Sequence, residues 1–331
     1  MERFALAAAV VLGFALTAAL CSLFVPLRRV LERREQQQQP VQSEQPRPAP
    51  LRAPLWGGLC AAAGTVAAVG VGWLAACVGQ PELLGSEGRL MTRLLTALAG
   101  SLAFGAVGLA EDLARMRSPA ALGLRRDVRL LLEALAAAFV LLLLRAAGCL
   151  PRGLGVPGAG YVLLGSAVPF LWAVLMVALA ECARVAERDE GAVCGAAFVA
   201  MLALMMVEAG LGVSGLAVLP GALAGALVAL GLWAFPPARL GVGCCGSLLA
   251  AGAIGCIPLS LDMTSLTVPL ALPFWAAGGL LAAQLLGAKR TGKPLRCWVK
   301  KHKMSPETVF LCSFALSAVG YVLALALLRW C

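Results

Sequence analysis

The sequence predicts an all-α integral membrane protein, a bundle of about ten transmembrane helices in one polytopic domain over residues 1–331. Three observations carry that prediction. Hydrophobic residues make up 61% of the chain and charged residues 13%, with a mean hydropathy of +0.89, whereas soluble domains hold an apolar share of about 45–50%. Apolar stretches near the ~20 residues that cross a hydrocarbon core recur from end to end. Thirty-seven glycines, with abundant alanine, suit close helix contacts where lipid supplies no hydrophobic drive.

The spans fall at roughly 4–25, 55–79, 90–110, 128–149, 161–182, 191–209, 213–235, 241–259, 266–287 and 308–329. The first is too long for a signal h-region and shows no clean cleavage site, so it reads as a retained helix. Residues 26–54 carry Arg28, Arg29, Arg33, Arg34, the run Gln36 to Gln39, and Pro46, Pro48, Pro50 and Pro54. Such a composition buries no core, so a mobile or extended cytoplasmic loop is expected. The second span opens with Trp56-Gly57-Gly58, an interfacial aromatic and a close-contact pair. The third runs through Gly105 and Gly108 into Glu111-Asp112, two carboxylates expected at the membrane edge. Arg115, Arg117 and a basic turn at Gly123-Leu124-Arg125-Arg126 follow, and Val128-Arg129 opens the fourth span.

Pro151 to Gly160 reads as an outer turn rich in glycine and proline. The fifth span ends in Glu181-Cys182-Ala183-Arg184, with Glu187, Arg188, Asp189 and Glu190 just beyond, a second acidic cluster on the same side as the first. A solvated turn between helices accounts for that cluster equally well. Phe235-Pro236-Pro237 breaks the chain before Gly241-Val242-Gly243-Cys244-Cys245-Gly246-Ser247 opens the eighth span. Glycines at a helix start leave backbone N–H groups able to face an anion such as phosphate, although glycine is common in membrane helices generally. The last cytoplasmic loop, 288–307, is the most basic, and attraction to anionic lipid headgroups explains it without a substrate.

A net charge of +10 would suit a nucleic-acid partner if it lay on one face, but it is dispersed among loops. Of the 27 Lys and Arg, about 21 follow odd-numbered spans, which makes that side cytoplasmic and, with an even number of spans, puts both termini outside. Cys21, Cys60, Cys77, Cys194, Cys256 and Cys312 lie within spans and pack as small hydrophobes. Glu133, Glu208 and Gln284 lie in or near apolar segments, where an ionisable group is a functional candidate because burial is expensive; Glu133 is near enough to its helix start to reach the interface. His302 is the single histidine, so no multi-histidine metal site can form.

Taken together these motifs resemble the polyprenyl-phosphate sugar-1-phosphate transferases, most closely the phospho-N-acetylmuramoyl-pentapeptide-transferase (MraY) type. Pro26-Leu27-Arg28-Arg29 with Ala53-Pro54-Leu55-Trp56-Gly57-Gly58 is similar to that family's first cytoplasmic loop, which ends in TPTMGG. Gly108-Leu109-Ala110-Glu111-Asp112-Leu113-Ala114-Arg115 resembles its GFxDDxxK signature, and Gly123-Leu124 through Arg129-Leu130-Leu131 its GLxxxxKLL continuation. Glu181 to Gly191 occupies the place of NxxNLxDGxDGL, and Pro237-Ala238-Arg239 with Gly243-Cys244-Cys245-Gly246-Ser247-Leu248 that of PAxxFMGDTGSL. The stretch from Thr291-Gly292-Lys293 through His302 to Glu307 falls at the family's histidine-rich loop.

The resemblance implies an enzyme of a bacterial plasma membrane that binds Mg²⁺ and a UDP-sugar of the UDP-MurNAc-pentapeptide type in a cytoplasmic cleft. It would transfer phospho-sugar to undecaprenyl phosphate with release of UMP, in peptidoglycan or related cell-envelope glycan synthesis. The implied metal ligands and catalytic groups are Glu111, Asp112 and Glu187, with Cys244 in a family ligand position. Arg115, Arg129, Lys293, His302, Glu181 and Arg184 would contact substrate. Membrane lipids are implied partners, and a homodimer is compatible.

Several substitutions bear on that implication. Glu111 stands for the first Asp of the pair, Arg115 for a Lys, Glu181 and Arg184 for two Asn, and Cys244 for the Asp of MGDTGS. A thiolate suits Zn²⁺ or Cu⁺, whereas Mg²⁺ wants oxygen. Three readings follow: a transferase with a rebuilt metal site and reduced or lost activity, a non-catalytic homologue binding polyprenyl phosphate or a partner membrane protein, and an unrelated transporter whose charged loops serve only topology. The first two require Glu111, Asp112, Glu187 and Cys244 to converge; the third leaves them scattered.

Overall fold

The computed structural model describes residues 2–38, 56–79, 88–117, 123–151, 153–156, 160–163, 165, 167–186, 192–213, 215–235, 239–286 and 305–330. Its helices are α1 (Glu2–Gln38), α2 (Gly57–Gly79), α3 (Gly88–Arg117), α4 (Arg126–Ala146), α5 (Ala167–Ala186), α6 (Ala192–Gly210), α7 (Val218–Ala234), α8 (Gly243–Ser260), the short α9 (Thr267–Leu270), α10 (Leu272–Leu286) and α11 (Pro306–Trp330). Seven stretches, in α1, α2, α3, α5, α6, α8 and α11, are long and apolar enough to cross a bilayer, which makes this a multi-pass membrane protein. The other long helices differ in kind. α4 carries Arg126, Asp127, Arg129, Glu133 and Arg145 along its length, while α7 and α10 span 17 and 15 residues.

α8 is the axis of the bundle. Every residue from Gly243 to Ser260 is buried, and α2, α3, α5 and α6 pack around it. A helix that is apolar all round must be enclosed by other helices or lipid, and here protein does the enclosing. Small residues set the spacing. A side chain at Gly108 of α3 would strike the carbonyl of Cys244, and one at Gly58 of α2 would strike the backbone of Gly246, so both neighbours lie backbone to backbone on the first turns of α8. Gly57 N–H donates to the carbonyl of Gly241 at 3.2 Å, tying the start of α2 to the start of α8. α1 runs antiparallel to α2, with Thr17 against Gly64, Ala9 against Gly72, and Phe24 stacked on Trp56 at 5.8 Å.

Four boundaries differ from the sequence reading, each for a physical reason. α1 continues past Pro26 to Gln38, into the segment expected to be a loop, because its Leu, Arg, Glu and Gln are good helix formers. Residues 39–55 lie outside the described residues. α3 continues past residue 110 to Arg117, so Glu111 and Asp112 lie on the helix rather than beyond its end, and are buried at 2% and 1% exposure. Part of the expected outer turn and the first residues of the fifth span form a hairpin instead, Gly153–Val156 pairing antiparallel with Gly160–Leu163; α5 then starts at Ala167, with Pro169 in its first turn where no N–H is needed. The ninth span is broken at Ala271 between α9 and α10, since Pro269 and Pro273 cannot both sustain one helical ladder.

Candidate functional site

The ends of α3, α4, α5 and α8 meet at one end of the bundle and bring together, among the described residues, seven charged side chains: Glu111, Asp112, Arg115, Arg129, Glu133, Glu181 and Arg184. On α3, Glu111 and Arg115 are one turn apart, and Arg115 Nη2 donates to Glu111 Oε1 at 2.6 Å. The chain then turns back through Gly123, whose φ of +71° is a conformation other residues rarely adopt. A side chain there would press on Arg115 and approach Glu111, so the turn closes over this pair.

α4 delivers Arg129 between two carboxylates from different helices. Its Nε and Nη2 donate to Glu181 Oε1 and Oε2 of α5 at 2.7 and 3.3 Å, a two-pronged contact. Its Nη1 lies 3.9 Å from Glu111 Oε1. Arg184, one turn after Glu181, donates to Glu181 Oε2 at 2.6 Å. Glu181 therefore sits between two guanidiniums, and Arg129 couples it to Glu111.

Asp112 has a different role. Its two oxygens accept from the backbone N–H groups of Cys244 and Cys245, at 3.0 and 2.9 Å. An α-helix leaves its first N–H groups without intrahelical partners, and its N-terminus carries partial positive charge. Asp112 thus caps α8 from a neighbouring helix, across a sequence separation of 132 residues. Cys244 reaches the site through its backbone, the position where the sequence places a family metal ligand.

Glu133 was expected to be able to reach the interface, but it has 0% exposure, one turn beyond Arg129. Neither of its oxygens has a hydrogen-bond partner among the described residues, and the same holds for Glu111 Oε2 and Arg184 Nε. The charges acting on it are Glu181, Arg129, Arg184 and Glu111. The sequence marked Glu133 as an ionisable group in an apolar segment; its place beside this cluster depends on how α4 is rotated, which no motif encodes.

The structure brings Glu111, Asp112, Arg115, Arg129, Glu181 and Arg184 together, with the backbone of Cys244 against Asp112. Glu187, Lys293 and His302 lie outside the described residues. Among the described residues no group of three or more His, Cys, Asp or Glu is placed to hold a metal ion. Asp112 is engaged by two N–H groups and Glu111 Oε1 by Arg115, and the third family position offers sulfur. Taken alone, the set Glu111, Asp112 and Cys244 does not fit Mg²⁺, which takes oxygen ligands in near-octahedral geometry.

Residues 94–262 match the family described as Glycosyl transferase family 4. The match covers slightly more than half of the chain and contains every charged residue of the cluster. Among the curated proteins none matches.

Proposed function

Since the chain belongs to glycosyl transferase family 4, a family of membrane phospho-sugar transferases, we propose that it transfers a phospho-sugar from a UDP-sugar to undecaprenyl phosphate at low turnover. The UDP-sugar is of the UDP-MurNAc-pentapeptide type, and the work is done at the cytoplasmic face of a bacterial plasma membrane. The observation that carries this reading is the convergence of Arg115, Arg129 and Arg184 with the N-terminus of α8. Guanidiniums and helix N-termini are the groups that hold phosphoryl oxygens and spread the charge of phosphoryl transfer.

In that reaction an oxygen of the lipid phosphate attacks the sugar-linked phosphorus of the UDP-sugar. The pyrophosphate bond breaks and UMP leaves with the bonding pair. The three arginines neutralise the phosphate oxygens, while Asp112 fixes the end of α8 so that its backbone stays in place. Lys293 and His302 extend the basic contacts, and Glu187 supplies a further carboxylate. Low turnover follows from the pairing: a phosphate must compete with Glu111 and Glu181 for the guanidiniums that bind it.

The test is direct. Membranes containing the protein are given UDP-MurNAc-pentapeptide, undecaprenyl phosphate and Mg²⁺, and UMP is measured against an Asp112→Ala control. Release above the control is expected; release equal to the control removes the transferase reading. A second reading then remains, a non-catalytic homologue that holds polyprenyl phosphate, favoured by the commitment of both Asp112 oxygens and Glu111 Oε1 to protein donors. It is recognised by polyprenyl phosphate co-purifying with the protein while no UMP appears.

A further inference from the structure

We propose that Cys21 of α1 and Cys60 of α2 are an oxidative modification site, joined as a disulfide by a small hydroperoxide. The register of the two helices places them face to face. α1 and α2 run antiparallel; a side chain at Gly72 would lie 3.6 Å from the Cα of Ala9, and one at Gly64 would lie 3.1 Å from the backbone nitrogen of Thr17. From the first contact to the second the chain advances eight residues along α1 and retreats eight along α2. Four more in each direction bring Cys21 opposite Cys60. Beyond them Phe24 stacks on Trp56 at 5.8 Å, which keeps the register to the end of the pair. The thiols of Cys21 and Cys60 accordingly share a hydrogen bond.

Helix backbones in glycine-mediated contact bring facing Cα atoms into the range that a disulfide bridges, about 4.4–6.8 Å. Both residues are free thiols, exposed by 0% and 1%. Burial keeps out bulky or charged oxidants, whereas hydrogen peroxide is small and uncharged. Its O–O bond breaks as one oxygen passes to a thiol sulfur, giving a sulfenic acid and releasing water. The facing thiol then displaces the sulfenic oxygen as a second water, and the S–S bond forms. The two sulfurs give up two electrons in all, and the peroxide is reduced to two waters. The bond would fix α1 to α2 one turn from Gly57 and Gly58, the residues that rest against the start of α8. The proposal does not rest on the phospho-sugar reading, because neither thiol belongs to the charged cluster.

The full chain, purified in detergent and freed of reductant, is treated with hydrogen peroxide and its remaining thiols are blocked with N-ethylmaleimide in denaturant. Digestion and mass spectrometry without reduction are expected to give a linked peptide pair carrying Cys21 and Cys60, lighter by two hydrogen atoms than the separate peptides and split by dithiothreitol. Thermal unfolding of the peroxide-treated wild type is the second readout. It is expected to melt at least about 2 °C higher before dithiothreitol than after it, since a cross-link restricts the unfolded chain. In Cys21→Ser that difference disappears. Recovery of both Cys21 and Cys60 as maleimide adducts, a link from either to the neighbouring thiols of Cys194 or Cys245 instead, or equal melting of the wild type before and after dithiothreitol each overturns the proposal. So does a difference that persists in Cys21→Ser.

Discussion

At the scale of single residues, Asp112 and Arg129 hold different parts of the site together. Asp112→Ala leaves two buried N–H groups at the start of α8 unpaired, so unfolding free energy in detergent should fall by about 1–3 kcal/mol in a denaturant titration. Arg129→Ala leaves Glu181 with one guanidinium and Glu111 with a weaker field. Because Glu181 keeps 26% of its side chain exposed, the expected loss of about 1–3 kcal/mol lies below that of a fully buried pair. Arg129→Lys keeps the charge but loses the two-pronged geometry, and should recover only part of that loss. The residues of this cluster were legible in the sequence as motif positions, but as expected metal ligands and substrate contacts, not as partners of one another. Which oxygen meets which donor was not, because Asp112 is satisfied by backbone groups that carry no side-chain signature.

Among the elements, the approach of α3 and α2 to α8 decides whether the site exists. Gly108→Ala places a methyl group against the carbonyl of Cys244 and should prevent a folded, monodisperse protein in size-exclusion chromatography. Gly70→Ala on α2 has open space around the new methyl and should be neutral or stabilising by up to about 1 kcal/mol. The apolar lengths of these helices could be read from composition. Their ends could not: α3 extends through a charged stretch because Glu111 and Asp112 find buried partners there, and a hydropathy window registers only the charges. The hairpin before α5 was missed for a related reason, since its short Gly-Val and Tyr-Val alternation is too brief to stand out beside long apolar runs. Glu133 was visible as an ionisable residue, yet its facing depends on the rotation of α4 about its axis.

For the whole molecule, the alternation of helices carries the ends of α3, α4, α5 and α8 to one side, and the loops of that side hold most of the basic residues. On the ten-span reading, the positive-inside rule would assign that side to the cytoplasm. The ten-span reading places both termini outside, so alkaline phosphatase fused to either terminus should be active in whole cells and green fluorescent protein at the same places dark. Activity at one end alone would mean an odd number of crossings and a revised topology.

The central claim is that the converging arginines form a binding site for a nucleotide-linked phospho-sugar. Isothermal titration of the purified protein with UDP-MurNAc-pentapeptide measures this most directly. Saturable heat in the wild type, lost in Arg129→Ala with the fold intact, is the predicted result. Equal binding by both proteins, or no heat from either, contradicts the account.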